Sequence, residues 1–166
     1  MGVAGAGKTT LARALALALG WEFFDADDYH SDENVALMRR GVSLTDELRA
    51  PWLRALCDLV DEVLDEGRCA VLACSALTEA YRHAIVPADA PAGTVRFLYL
   101  RVPREVLSER LETRTDHFAS ADLLDSQLAT LEEPVDAVIL DGTRPVDELV
   151  REAREAMEIE GSTRLY

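Results

Sequence analysis

A glycine-rich segment at the start of the sequence has the residue types and the spacing that phosphate binding requires. Residues 2–9 satisfy the pattern G-x-x-x-x-G-K-[ST] and continue directly into a stretch of good helix formers. In such a segment backbone N–H groups converge on phosphates, the lysine reaches the β and γ oxygens, and the hydroxyl of Thr9 holds Mg²⁺. The sequence therefore predicts a site for ATP and Mg²⁺. The predicted nucleotide-binding residues are Gly2, Val3, Ala4, Gly5, Ala6, Gly7, Lys8, Thr9 and Thr10.

The lysine of this segment, Lys8, is the only lysine in the chain, and the remaining members of the 17 basic residues are arginines. A lysine that remains in such a composition is a candidate for chemistry that the planar guanidinium of arginine does not perform. We therefore predict that Lys8 acts in catalysis as well as in nucleotide binding. The alternative is a glycine-rich helix start that binds no nucleotide, and the single lysine counts against it.

Two carboxylates follow the next predicted strand. Residues 23–27 read Phe-Phe-Asp-Ala-Asp, and the two-residue alternation of a strand places Asp25 and Asp27 on the same side. Where such a strand end faces bound phosphates, two carboxylates suit Mg²⁺ and the orientation of an acceptor hydroxyl. An acidic loop that caps a helix is the alternative interpretation of this segment.

Apolar periodicity and Gly or Pro breaks divide the chain into alternating helices and strands. We predict helices at residues 9–19, 34–40, 51–66, 78–85, 103–114, 123–131 and 146–159. We predict strands at residues 21–25, 69–74, 95–102 and 137–140. Such alternation produces a parallel sheet covered on both faces, with ligands at the carboxyl ends of the strands. The expected fold is a single α/β domain over residues 1–166.

The composition argues against several classes of protein. A formal charge of −14 disfavours binding to nucleic acid, and no apolar run reaches the roughly 18 residues that span a membrane. The first residues carry no secretory-signal pattern, so we expect a cytoplasmic protein. Cys57, Cys69 and Cys74 form no C-x-x-C pair, and we expect them to be reduced and buried.

Further segments, over residues 2 to about 134, resemble the small gluconokinases of the P-loop kinase superfamily. Beyond the phosphate-binding loop, the matching residues are Asp25-Ala26-Asp27 with His30, Asn34-Val35 with Met38, Gly41, Leu44-Thr45-Asp46 with Arg49, Pro51-Trp52-Leu53, Ala73-Cys74-Ser75-Ala76-Leu77 with Tyr81-Arg82, Glu109-Arg110-Leu111 with Arg114, His117-Phe118, and Leu123-Leu124-Asp125-Ser126-Gln127 with Thr130-Leu131-Glu132-Glu133-Pro134. The resemblance implies a P-loop NTPase fold of three α/β/α layers, similar to nucleoside monophosphate kinases and shikimate kinases. It also implies ATP-dependent phosphorylation of D-gluconate to 6-phosphogluconate, by a phosphotransferase that acts on an alcohol group. Relatives are often dimers, so a homodimer is expected.

The resemblance assigns roles around the acceptor. It implies that Asp25 lies near Mg²⁺ and that Asp27 binds the acceptor hydroxyl. Arg49 is the candidate for the gluconate carboxylate, because a guanidinium can grip a carboxylate with two parallel hydrogen bonds. His30 and His117 match family positions and are expected to line the sugar-acid pocket.

Two arginines precede a polar segment that resembles the family's lid, at about residues 115–122. Arg110 and Arg114 are four residues apart and therefore share a helix face. The resemblance implies that they fold over the transferred phosphoryl group, where a single cation can accelerate transfer by about 10³ to 10⁵.

Three departures from the family pattern remove positive charge. Leu37 and Thr78 stand where the family usually has lysine, and Thr115-Asp116 replaces a usual Lys-Gly. Weak substrate affinity, altered acceptor choice or slow closure would follow. Two alternatives therefore stay open: a kinase for another small acceptor, such as shikimate or a different sugar acid, and a nucleotide-binding regulatory protein that has lost turnover.

The strand that feeds a phosphate-binding loop is missing, because only Met1 precedes Gly2. By resemblance to the superfamily, that strand lies between the strands predicted at 69–74 and 95–102. We expect that Met1 is an internal or misassigned start, and that the natural protein carries roughly five to ten further residues upstream, since a strand of about this length is typical.

Overall fold

The structure is a computed structural model, and it describes residues 1–113 and 121–160. Within these ranges the chain forms seven helices, four short strands and one 3-10 turn. The helices are α1 (Lys8–Leu19), α2 (Asp32–Arg39), α3 (Asp46–Asp65), α4 (Glu79–Ala84), α5 (Arg104–Glu112), α6 (Ala121–Thr130) and α7 (Val146–Glu160). The strands are β1 (Glu22–Asp25), β2 (Ala70–Ala73), β3 (Leu98–Arg101) and β4 (Val138–Asp141), and the 3-10 turn is Ala26–Tyr29. The alternation of helices and strands is the predicted one.

The strands form two parallel pairs, β1 with β2 and β3 with β4. Met1 and Gly2 lie between the pairs. The Met1 nitrogen donates to the Leu98 carbonyl, the Met1 carbonyl accepts from the Leu100 N–H at 3.0 Å, and the Gly2 N–H donates to the Ser75 carbonyl at 3.2 Å. The spatial order is therefore β1, β2, residues 1–2, β3, β4, which is where the absent strand was expected. The existence of upstream residues stays a prediction.

Two apolar clusters cover opposite faces of the strands. On β2, Val71 packs against one cluster and the next residue, Leu72, packs against the other, as the alternation of a strand requires. The first cluster is built mainly from α1, α5, α6, β4 and α7, with Leu15, Leu107, Leu124, Leu140 and Ala153 among its most buried members. The second is centred on α3 and α4, with Ala26, Trp52, Leu56, Cys74, Ala76 and Ile85. This is the predicted layering of helices on both faces of a parallel sheet.

One predicted helix begins at the wrong residue. The sequence analysis started α3 at Pro51, because proline favours the first turn of a helix. The structure starts it at Asp46, with the Thr45 hydroxyl as N-cap accepting from the Leu48 N–H at 3.4 Å, and leaves Pro51 inside the helix. The Thr45 cap, with Asp46 and Glu47 in the first turn, is the stronger signal. The other ten predicted elements are confirmed, with bounds shifted by at most three residues.

The cysteines differ from the expectation that all three are buried. Cys74 is buried, whereas Cys57 is half-buried and Cys69 is exposed just before β2. All three are free thiols. Burial raises the pKa of the Cys74 thiol to about 11, so this thiol stays protonated near neutral pH. No helix in the described parts of the chain is both long and apolar enough to cross a membrane.

Candidate active site

The phosphate-binding loop, residues 2–7, turns tightly into the first helix. Gly5 and Gly7 have φ angles of 80° and 96°, a region that side chains other than glycine adopt only with strain. Gly7 is the N-cap of α1. A Cβ on Gly5 would lie 3.2 Å from Cγ of Leu111, so α5 approaches the loop closely. The N-terminus of α1, with the positive end of its dipole, therefore opens onto the loop.

Lys8 follows the loop and lies against it. Its Nζ donates to the Val3 carbonyl at 3.0 Å. Burial and the charge of Asp25 raise the pKa of Asp27, and the positive charge of Lys8 opposes this rise. The ammonium group of Lys8 is therefore close enough to act electrostatically on the predicted acceptor residue.

Two side chains from the far end of the sequence hold the loop. Gln127 Oε1 on α6 accepts from the Ala4 N–H at 2.7 Å. Arg110 donates from Nη2 to the Gly142 carbonyl at 2.8 Å and from Nη1 to the carbonyls of Gly5 and Ala6, both at 3.4 Å. In this arrangement Arg110 joins the loop to the segment after β4.

The predicted metal ligands meet at the end of β1. The Thr9 hydroxyl donates to Asp25 Oδ2 at 3.0 Å. Within residues 1–113 and 121–160, no three or more His, Cys, Asp or Glu side chains are grouped so that they could hold a metal ion by themselves. A cation here would thus depend on one hydroxyl, one carboxylate and the oxygens of a bound phosphate. This hard-oxygen donor set fits Mg²⁺, which commonly takes one or two protein oxygens beside substrate phosphates.

Asp27 lies beside Asp25, but a turn and not strand alternation brings the two together. β1 ends at Asp25, whose Oδ1 accepts from the Asp27 N–H at 3.2 Å and caps the 3-10 turn. Asp27 is reached by solvent, yet the surrounding protein partly desolvates it and raises its pKa, and the charge of Asp25 raises the pKa further. The interpretation of this segment as an acidic cap thus describes Asp25 correctly, and the same cap holds Asp27 beside Asp25.

His30 closes the turn and stacks on a tryptophan of α3. The rings of His30 and Trp52 have centroids 4.6 Å apart and planes inclined by 9°. Burial lowers the pKa of His30, and the charge of Arg49 lowers it further, against the opposing effect of Asp27. His30 is therefore a neutral ring near pH 7, and its buried Nδ1 has no hydrogen-bond partner among the residues that the structure describes.

Arg49 lies on the first turns of α3 and is tied to a neighbouring helix. Its Nη1 donates to the Tyr81 hydroxyl at 3.1 Å, and its guanidinium lies over the Tyr81 ring at 5.5 Å from the centroid. The Tyr81 hydroxyl donates in turn to Asp46 at 2.5 Å, and Asp46 is 3.6 Å from Nη1 of Arg49. Both of these contacts are made by Nη1 of the guanidinium. The positive charge of Arg49 also lowers the pKa of His30. The structure thus brings Arg49 to the side of the site that carries Asp27 and His30.

The segment between β2 and α4 is locked by a buried arginine. Arg82 donates to the carbonyls of Ala76, Leu77 and Glu132 at 3.0 to 3.3 Å. Ala76 has a φ of 43°, which is unfavourable for a residue with a Cβ and is supported here by that bond. Thr78, which replaces a family lysine, N-caps α4 by accepting from the Tyr81 N–H at 3.2 Å. The substitution therefore contributes to the helix that presents Tyr81.

A pocket of about 350 Å³ lies beside the loop on the side of Arg110. Its lining residues include Gly7, Thr10, Arg110, Thr113, Gly142 and Arg144. It adjoins the N-terminus of α1, where phosphates bind in loops of this type.

The structure brings together most of the predicted site. Residues 2–10, Asp25, Asp27, His30 and Arg49 lie around the carboxyl ends of β1 and β2, and Arg110 contacts the loop from α5. Arg114 and His117 lie outside the described residues, as does most of the predicted lid at 115–122. Sequence reasoning assigned no role to Trp52, Tyr81, Gln127 and Gly142. The first three belong to the segments that carried the family resemblance, and Gly142 had no signal of its own.

Comparisons with known proteins identify the family of this chain. The family model described as an AAA domain matches residues 1–134, a range that includes the loop, the acidic turn, α3 and α4. A gluconokinase of Gluconobacter oxydans (strain 621H) is 46% identical over 136 residues, which cover 82% of this chain and 75% of that protein.

Two solved structures are similar over nearly the whole chain. A sugar kinase from Janibacter sp. HTCC2649, in its unliganded structure, has a TM-score of 0.85 and 42% identity, covering 100% of this chain and 96% of that chain. A gluconokinase from Sinorhizobium meliloti 1021 has a TM-score of 0.80 and 37% identity, covering 99% and 95%. The fold is that of a P-loop kinase, which is a nucleotide-binding fold. By sequence identity, coverage and structure, this chain belongs to the gluconokinase family of P-loop kinases.

Proposed function

We propose that this protein transfers the γ-phosphoryl group of ATP to the primary C6 hydroxyl of D-gluconate. The bond between the C6 oxygen and the γ-phosphorus forms, the bond from that phosphorus to the β,γ-bridging oxygen breaks, and the hydroxyl proton passes to Asp27. The products are 6-phosphogluconate and ADP. The observation that carries the proposal is the convergence of Lys8, the Thr9–Asp25 pair and Asp27 at one sheet edge in a member of the gluconokinase family.

At the phosphate end, backbone N–H groups at the end of the loop and the start of α1 would bind the phosphates, and Lys8 would neutralise charge on the β and γ oxygens. Lys8 would exchange its bond to the Val3 carbonyl for a bond to a phosphate oxygen. The pocket beside Arg110 would accept the nucleoside portion, because it adjoins the start of α1. Without substrate, Arg110 would stabilise the loop through its bonds to the carbonyls of Gly5 and Ala6. To contact the transferred phosphoryl group, its guanidinium would have to release the Gly142 carbonyl.

Thr9 and Asp25 would hold Mg²⁺, since they supply adjacent hard oxygens. When bound, the ion supplies charge neutralisation on the phosphate oxygens. The capping bond from Asp25 to the Asp27 N–H fixes the second carboxylate relative to the first.

At the acceptor end, Asp27 would accept the hydrogen of the attacking hydroxyl, and its raised pKa makes it a better base than an ordinary carboxylate. The buried, neutral His30 can accept or donate one hydrogen bond to a sugar hydroxyl. Arg49 would bind the gluconate carboxylate, with Tyr81 and Asp46 fixing its orientation. Roles for Arg114 and His117 stay predictions, as do the cytoplasmic location, the homodimer and the single-domain extent over residues 1–166.

The test is coupled ADP release with a panel of acceptors that contains D-gluconate, other sugar acids and shikimate. We expect Mg²⁺-dependent release with D-gluconate and phosphate on C6, which phosphorus NMR of the product identifies. Release with another acid but not with gluconate would contradict the proposed substrate. Binding of ATP without release on any acceptor would favour a regulatory protein that has lost turnover.

A further inference from the structure

Trp52 makes two different contacts with the segment that carries Asp27. Its Nε1–H donates to the Ala26 carbonyl at 2.7 Å in the protein interior, and its indole face stacks on His30 at 4.6 Å. Ala26 immediately precedes Asp27, and His30 ends the 3-10 turn that begins at Ala26. Trp52 on α3 therefore holds the Ala26 backbone just before Asp27 and the His30 ring just after it.

We propose that Trp52 is a positioning residue of the acceptor site, which fixes Asp27 and His30 relative to the phosphate-binding loop. This inference rests on the proposed function, since it takes Asp27 and His30 as the residues that contact the acceptor. Trp52 itself is only 8% exposed and acts through its two neighbours.

The indole supplies two properties that a space-filling side chain would lack. Ala26 is 1% exposed, so its carbonyl loses a buried hydrogen bond when the Nε1 donor is removed, and the turn must shift to find another donor. The flat face fixes the plane of the His30 ring, whose buried Nδ1 has no hydrogen-bond partner in the described part of the chain and would bond to an acceptor hydroxyl that reaches it. A displacement of about 1 Å at a reacting group can lower the rate about 100-fold.

Two substitutions separate these properties. Trp52→Phe keeps an aromatic face and removes the N–H donor, whereas Trp52→Leu removes both. The matched control is Trp21→Phe, which changes the other tryptophan of the chain, 38% exposed next to β1. For each protein, kcat and KM are measured for D-gluconate, and the stoichiometry and Kd of MgATP binding are measured by calorimetry, all well below the melting temperature.

We expect kcat/KM for D-gluconate to fall about tenfold in Trp52→Phe and about 100-fold in Trp52→Leu. The stoichiometry and Kd of MgATP binding should stay within twofold of the unaltered protein, because the hydrogen bond and the ring stack of Trp52 are made with Ala26 and His30 at the acceptor end. A purely structural tryptophan gives a different result: ATP-binding stoichiometry and kcat fall together while KM is unchanged, and that result overturns the inference. Trp52 variants with the kinetics of Trp21→Phe overturn it as well.

Fluorescence tests the stack without any acceptor. In the Trp21→Phe background Trp52 is the only tryptophan, and a protonated imidazole stacked on an indole quenches its emission. The charged groups that face His30 are Asp27 and Arg49, and burial lowers the pKa of His30 below its usual value of 6.5. We expect quenching on acidification with a midpoint below pH 6.5, abolished by His30→Gln. Emission that does not respond to pH, or that responds equally in His30→Gln, contradicts the stacked arrangement and the inference.

These results also separate the inference from the proposed function. If the unaltered protein is active with gluconate and the Trp52 variants match it, only the inference is wrong. If the unaltered protein uses no acceptor in the panel, both are wrong. If it uses a different acceptor, the proposed substrate is wrong, and the same comparison of variants with that acceptor decides the role of Trp52.

Discussion

The phosphate end of the site comes mainly from one continuous stretch of chain, whereas the acceptor end takes its side chains from three separate elements. The phosphate end consists of residues 2–10, with Asp25 from the end of β1 and with supporting bonds from Arg110 and Gln127. The acceptor end consists of Asp27 and His30 on the 3-10 turn, Arg49 and Trp52 on α3, and Tyr81 on α4. Backbone geometry forms the phosphate end. At the acceptor end, the side chains meet only after α3 and α4 have packed on the sheet.

The difference predicts how each end responds to substitution. Backbone N–H groups remain when a side chain is changed, so the loop depends on a few residues with special conformations or charge. The acceptor end depends on the orientation of several side chains, each held by one or two neighbours. Substitutions there should alter acceptor kinetics and leave nucleotide binding intact.

The largest effect is expected at Lys8, the cation of the phosphate end. Lys8→Ala should lower the rate of phosphoryl transfer below about 10⁻³ of the unaltered value, since it removes the cation from the transferred group. Lys8→Arg keeps the charge, but the planar guanidinium does not match the compact ammonium, so it should recover only part of the rate. Rapid-quench measurement of 6-phosphogluconate formation checks both. A rate for Lys8→Ala within tenfold of the unaltered protein would show that Lys8 has no catalytic role in phosphoryl transfer.

Asp27→Asn should have the next largest effect, and it should impair phosphoryl transfer without impairing nucleotide binding. We expect kcat to fall by about 100-fold or more, the range of a lost general base, because an amide cannot accept the hydroxyl proton. The Kd of MgATP should change less than twofold, because Asp25 and the loop are retained. The matched control is Asp28→Asn, which changes the neighbouring exposed carboxylate on the same turn. Equal effects of the two substitutions on kcat would show that bulk charge, and not the position of Asp27, matters.

The same contrast explains how much could be predicted from the sequence. The loop, Lys8 and the Thr9–Asp25 pair follow from local spacing, because a continuous motif carries its geometry with it. Asp27 was predicted by strand alternation, but the Asp25 cap and the 3-10 turn produce the observed proximity. The spatial neighbours of Asp27 could not be derived from spacing, because Trp52 lies 25 residues away and its bond to Ala26 forms only in the folded core.

The fold was more predictable than the contacts between its elements. Helix and strand order followed from periodicity, and the position of the missing strand followed from the family resemblance and agrees with the bonds of Met1 and Gly2. The start of α3 was wrong because the prediction followed Pro51 and passed over the stronger signal six residues earlier, the Thr45 cap with two acidic residues after it. That error matters for the site, since it left Arg49 outside the predicted helix and hid its i,i+3 pairing with Asp46.

A moderate effect is expected from Arg49 and its support. Arg49→Lys should raise the KM for D-gluconate roughly tenfold with little change in kcat, because lysine cannot make the two-pronged contact with a carboxylate. Tyr81→Phe removes only the hydroxyl that holds Arg49, so a rise of about threefold is expected, in line with the loss of one hydrogen bond. Initial-rate kinetics over a gluconate series check both, with Arg54→Lys, on the exposed side of α3, as the control. An unchanged KM in Arg49→Lys would show that Arg49 does not bind the gluconate carboxylate and only pairs with Asp46 and Tyr81.

The smallest effect is expected at Gln127, the side chain from α6 that reaches the phosphate end. Gln127→Ala removes the acceptor of the Ala4 N–H, which is a hydrogen bond worth about 0.5 to 1.5 kcal/mol, so the Kd of ATP should rise only about two- to tenfold. Gln127→Glu keeps an acceptor oxygen but adds negative charge beside bound phosphates. If Gln127 faces the nucleotide, Glu is therefore more damaging than Ala, whereas a purely structural bond gives the opposite order. Calorimetric titration with ATP decides the order, with Ser126→Ala on the exposed side of α6 as the control. If Gln127→Ala and Gln127→Glu both match that control, the loop keeps its shape without α6, and the phosphate end depends on its own backbone alone.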